Sequence, residues 1–167
     1  MEKTDPNTTQ DAVVLERTFK APVEVVWRMW TDPHHFAAWY GPPGAAVTVA
    51  EMDVRVGGRR LVRMAIDTPA GGREMWFVGE FRELVVNQLL VYTDAMSDED
   101  GNIASAGNTS APSGHPTTTE VRVELEAVDG TTKMVLTHAG IPADSPGAVG
   151  WAMAFDKLAA LVASEVR

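Results

Sequence analysis

From Ala46 to Leu136 apolar and polar residues alternate instead of recurring every three or four positions, and this pattern excludes an all-helical fold. "AVTVAEMDV", "RRLVRMAID", "REMWFVGEF", "QLLVYTD", "TTEVRVELEA" and "TKMVLTH" each have the length and β-branched content of a strand, and turn signals fall at "VGG", "TPAGG", "VVN" and "VDGT". The alternation is cleanest in the fifth: Val121, Val123 and Leu125 point one way, Arg122, Glu124 and Glu126 the other. A sheet with one buried and one solvated face is antiparallel. Ahead of it, "AVVLERTFKAP" supplies one more strand from about Ala12, ended by Pro22.

The buried face needs a cover, and the remaining segments supply it. Pro22 suits the first helical position, with Val23, Val26, Trp27 and Trp30 following at i, i+3, i+4 and i+7. In "TDPHHFAAWYGPPG", Asp32 can cap a second helix, Pro33 takes its first position, and Phe36, Trp39 and Tyr40 form its face. Gly41 then supplies the left-handed stop before Pro42. Ser145 and Pro146 open a long helix to about Val166, with Trp151, Phe155, Leu158 and Val162 on one stripe. At 1.5 Å per residue its ~21 residues reach about 31 Å, enough to cross a sheet. The expected class is α+β: a seven-stranded antiparallel curved sheet wrapped around a long C-terminal helix, with two short helices after strand one.

Length and charge narrow the function classes. At 167 residues the chain suits one domain. Residues 1–10 read as a flexible tail and 11–167 as the domain, since the first ten hold no large apolar side chain after Met1. A net charge of -9 argues against nucleic acid and anionic membrane surfaces as partners. With no cysteine there is no disulfide, thiol nucleophile or Cys-bound zinc, and neither a signal peptide nor a membrane-length apolar run is visible. A cytoplasmic protein is the default expectation.

The order of "TDPHHFAAWYGPPG", "VRVGGR", "VYTDAMSDEDGN", "KMVLTHAGIP" and "GWAMAFDKLAAL" resembles the START-like, or helix-grip, superfamily (SRPBCC) over about residues 12 to 165. Within it the chain is similar to the branch named for the activator of the ATPase of the 90-kDa heat-shock chaperone, and to its small single-domain bacterial members. The resemblance implies that the sheet grips the long helix and that the space between them holds an apolar or aromatic small molecule. It also suggests a link to the stress response. The activator's stimulating activity depends on a separate N-terminal domain to which nothing here corresponds, so chaperone stimulation is not expected; a chaperone co-factor or other protein-interaction module, and a homodimer, are left open as alternatives.

Candidate chemistry is sparse. Adjacent His34 and His35 point about 100° apart on a helix and cannot share a metal as an i, i+4 pair does. His115 and His138 lie elsewhere without a spacing that joins them. "SDEDGN" fails as a calcium loop, because the frame that sets Gly101 at position six ends on Gly107 where a bidentate Glu is required. "VGGR" and "AGGR" lack the strand-to-helix context of a nucleotide site. No catalytic residue, metal or cofactor is therefore assigned. A cyclase- or hydrolase-type enzyme would need an acid–base pair such as His138 with Asp53 or Glu80.

The aromatic and methionine set is the better candidate. Trp39 and Tyr40 on the short helix, Met64, Phe77 (or Trp76), Tyr92 and Met134 on strands, and Trp151 and Phe155 on the long helix are expected to line a ligand pocket. The plainer alternative for each is core filling. Arg60 shares the parity of Val62 and Met64, and the resemblance places Met64 toward the pocket and usually a large aromatic at position 60. An inward Arg60 needs a carboxylate, from the protein or from an apolar acid as ligand; otherwise it snorkels outward at the strand's start.

Overall fold

The computed structural model describes residues 12–69, 71–103, 118–141 and 146–165. The expected tail, most of the long segment after Tyr92 with His115, and the Ser145 cap lie outside them.

Seven strands form one antiparallel sheet: β1 (Ala12–Phe19), β2 (Ala46–Met52), β3 (Arg59–Thr68), β4 (Gly71–Val85), β5 (Leu89–Ser97), β6 (Thr118–Val128) and β7 (Thr131–Ala139). Their spatial order is β1-β7-β6-β5-β4-β3-β2, so β1 and β2 occupy opposite edges. Helices α1 (Val23–Thr31) and α2 (Pro33–Trp39) make that crossing, and α3 (Pro146–Glu165) lies on the same face. This is the α+β arrangement expected from the alternation, in the helix-grip form that the resemblance implies. No helix among the described residues is long and apolar enough to cross a membrane.

Two boundaries differ from the sequence reading in ways that matter. β5 continues through Ala95, Met96 and Ser97, which pair with Val78, Phe77 and Trp76. Its polar continuation "DAMSDEDGN" hides this, because the register is set by β4 and not by local propensity. Pro22 is the residue before α1, not its first turn: its ring fixes φ at -64°, but ψ is 154° and extended. The buried stripe of α1 accordingly contains Val26, Met29 and Trp30, while Trp27 is half-buried.

α2 forms as its caps dictate. The Asp32 carboxylate accepts hydrogen bonds from the N–H groups of His34 and His35 at 2.9 and 3.2 Å. At the other end Gly41 has φ +85°, and a Cβ there would come within 3.1 Å of the Met64 Cε. That glycine both ends the helix and seats Met64 of β3. Lys157 of α3 donates to the carbonyls of Tyr40 and Pro42, both at 3.3 Å, and ties the turn to the long helix.

The inner face of the sheet carries the main core. Phe19, Val62, Phe81, Tyr92, Val123, Met134 and Leu136 pack against Trp30, Phe36, Trp39, Phe155 and Leu158. Leu61, Val78 and Ala95, with Trp76 beside them, form a smaller cluster on the opposite face. The parity settles one choice: Phe77, opposite Val62, faces inward and Trp76 outward.

Candidate functional site

The expected pocket residues divide into two groups. Trp39, Met134 and Phe155 have no exposed surface and belong to the packed core, where the Trp39 indole N–H donates to the Met29 carbonyl at 2.9 Å. Tyr40, Arg60, Met64, Phe77, Tyr92 and Trp151 lie around the part of the inner face formed by β3, β4 and β5 and bordered by α2 and the start of α3. Tyr40 joins them: its ring stacks on Phe36 with centroids 4.6 Å apart and meets Trp151 edge-on at 5.8 Å.

Arg60 points inward. It is 2% exposed, and its guanidinium carbon sits 3.8 Å from the Tyr92 ring centroid and 5.1 Å from that of Phe36. The outward, snorkelling alternative does not hold. The carboxylate that an inward arginine requires is the protein's own Asp94, with Nη1 and Oδ1 3.7 Å apart. An apolar acid is no longer needed to match the charge.

Two strands separate these residues, and the space between them is made by a glycine. Arg60 pairs with Gly79 on β4. Gly79 in turn faces Asp94, between the pairs Val78–Ala95 and Phe81–Tyr92. Without a side chain at position 79 the arginine reaches across the row. A Cβ at Gly79 would also fall 1.8 Å from the Thr93 carbonyl oxygen, so no other residue fits.

At 3.7 Å the pair is in electrostatic contact without a hydrogen bond. Among the described residues no protein group bonds Arg60 Nε or Asp94 Oδ1, although both atoms are buried. Burial pushes the Asp94 carboxyl up to about 6, against the opposing pull of Arg60. Burial and the Asp94 charge likewise raise the Tyr40 phenol well above its ordinary value.

An apolar margin adjoins this row. Met75 pairs with Met64, and Phe77 pairs with Val62 and Met96, which sets all five on the inner face. Met75 and Phe77 are half-buried, and Met96 is 47% exposed. The sequence reading missed Met75 and Met96; once β4 and β5 are placed in register, the parity of Phe77 reveals both.

A second polar cluster lies nearby. The Trp151 indole N–H donates to His138 Nδ1 at 3.0 Å, and His138 Nε2 lies 2.7 Å from the Thr119 hydroxyl. Since Nδ1 accepts, a neutral His138 carries its proton on Nε2 and donates it to Thr119, whose hydroxyl donates to the Asp94 backbone carbonyl at 3.1 Å. Burial lowers the His138 pKa to about 4, so the ring is neutral near pH 7. Among the described residues it has no carboxylate partner: Arg55 donates to Asp53 at 2.7 Å, and Glu80 lies on the outer face with Val78. The acid–base pair considered from the sequence is not formed.

The other sequence candidates settle as local structure. His34 is exposed, while His35 is half-buried and lies 3.3 Å from Asp32 and 3.8 Å from Glu165 of α3. "SDEDGN" is a turn in which the Asp98 carboxylate accepts from the N–H groups of Asp100 and Asn102, each at 2.9 Å.

The family described as activator of Hsp90 ATPase homolog 1-like protein matches residues 20–163. The chain belongs to this family. Solved structures share its fold. A protein of Chromobacterium violaceum is 29% identical over 91% of this chain and 96% of its own, with a TM-score of 0.74. The AHSA1 protein of Silicibacter pomeroyi is 22% identical over 92% and 99%, with a TM-score of 0.69. A protein of Arthrobacter aurescens, 22% identical over 96% and 90%, reaches 0.75 and shares the fold. No curated protein matches the chain.

Proposed function

We propose that this protein binds a small apolar or aromatic molecule between the inner face of its sheet and the helices α2 and α3. One observation carries the reading: Met75, Phe77 and Met96 present accessible apolar surface beside a buried polar pair enclosed by aromatic rings. Binding sites for small molecules combine an apolar wall with a few convergent polar groups, and methionine adapts its unbranched chain to irregular ligands. The helix-grip scaffold supports this reading without specifying the ligand, since one fold hosts many functions.

Methyl NMR of the methionines tests it with naphthalene as the probe. Saturable shifts are expected at Met64, Met75 and Met96, with Met29, fully buried on the core side of α1, as the unmoved reference. Met96→Glu, at an exposed position, is expected to weaken the effect at least ten-fold. Shifts that do not saturate, or that are equal at Met29 and Met96, would contradict the proposal.

A further inference from the structure

Arg60 Nε–H is a buried donor and Asp94 Oδ1 a buried acceptor, and among the described residues neither has a protein hydrogen-bond partner. Leaving such groups unbonded forfeits the hydrogen bonds they made with water, and the loss is greater when they are charged. The two residues have not closed on each other, though both sit on one inner-face row with Gly79 between them. The guanidinium lies against the Tyr92 and Phe36 rings, 3.8 and 5.1 Å from their centroids. Thr119 holds the Asp94 backbone carbonyl. The Asp94 side chain keeps 12% exposure against 3% for Arg60, so it is the less enclosed of the two, although Oδ1 itself is buried and a ligand reaches it only by displacing the side chains that cover it.

We infer that the Arg60–Asp94 row is the polar anchor of the site and takes a neutral cis-amide group, such as a lactam, fused to an apolar ring. This rests on the small-molecule reading above and deepens it. The ligand carbonyl accepts from Arg60 Nε–H, the adjacent ligand N–H donates to Asp94 Oδ1, and the ring lies against Phe77, Met75 and Met96. The chemistry selects this class in two ways. A free carboxylate would match Arg60 but meet Asp94 as a like charge, whereas an ammonium would do the reverse. A purely apolar ligand would leave both atoms unbonded. A group with adjacent acceptor and donor satisfies both without adding charge to a pair that already balances.

The test compares four probes by isothermal titration calorimetry at pH 7: 1-isoquinolone, its N-methyl derivative, naphthalene and 1-naphthoate. In the native protein the lactam is expected to bind at least ten-fold more tightly than each of the other three. In the double variant Arg60→Met, Asp94→Leu that advantage is expected to disappear while naphthalene binding persists, which also shows that the variant is folded. Equal affinity for lactam and naphthalene in the native protein would overturn the anchor, with water serving the pair, and leave the small-molecule reading standing. Tightest binding of naphthoate would overturn it in favour of Arg60 acting alone on an acid. Failure of all four probes would overturn the anchor and the underlying reading together.

Discussion

The inner face of the sheet holds two buried polar clusters joined through one residue, and they are completed differently. In the Trp151–His138–Thr119 chain each donor meets an acceptor, and the chain ends on the Asp94 backbone carbonyl. In the Arg60–Asp94 row the charges lie 3.7 Å apart and keep an unbonded atom each. A fully satisfied network acts as structure, because it rigidifies its members and leaves nothing to offer a ligand. A charged pair that has not closed leaves a donor and an acceptor unbonded. The first cluster fixes the backbone from which the second projects.

Substitutions separate the two clusters, beginning with the largest expected effect. Arg60→Met strands the Asp94 carboxyl among apolar groups and is expected to cost about 3 kcal/mol in urea unfolding at pH 7.5. Adding Asp94→Leu is expected to restore stability to within about 1 kcal/mol of the native protein, because a buried pair in poor geometry is replaced by apolar contacts. A double variant as unstable as the single one would mean that the pair contributes net stability. His138→Leu is expected to cost about 2 kcal/mol, since it leaves the Trp151 N–H and the Thr119 hydroxyl without their partner. Here a second substitution, Trp151→Phe, should add little, because the broken chain has already lost that bond.

The pH dependence distinguishes the clusters by sign. The Asp94 pKa is raised from 3.8 to about 6, so the folded state holds its proton more tightly, and the stability this gives falls as pH rises from about 4 to about 6. The His138 pKa is lowered from 6.5 to about 4, so its contribution is complete above pH 6.5 and is lost as pH falls toward 4. The two slopes oppose each other between pH 4 and 6. In Asp94→Asn only the His138 slope remains, and acidification from pH 7 to 4.5 is expected to destabilise this variant more than the native protein, by about 1–2 kcal/mol. Parallel profiles for the two proteins would show that Asp94 is already ionised at pH 4.5.

The fold was legible where pattern is local. Val121, Val123 and Leu125 alternate whatever their neighbours do, and the caps of α2 lie in Asp32 and Gly41 themselves. The family resemblance covered the same elements. Arg60 could be placed on the inner face by parity with Val62 and Met64, yet its partner could not be read. Asp94 fell at the expected end of β5, and its meeting with Arg60 depends on the registers of three strands and on the missing side chain at Gly79. The same long-range dependence hid Met75, Met96 and the bond between His138 and Trp151. Lys157 carries no signal of its own, as its acceptors are backbone carbonyls of Tyr40 and Pro42.

The claim on which the comparison turns is that Arg60 and Asp94 are neighbours that do not hydrogen-bond to each other. Carboxyl-carbon NMR of Asp94, assigned with Asp94→Asn, measures this directly in the ligand-free protein. The open pair predicts a titration midpoint near pH 6, moving lower as 1-isoquinolone is added and its N–H stabilises the carboxylate. A midpoint below 4 without ligand would show a closed, hydrogen-bonded ion pair and contradict the account.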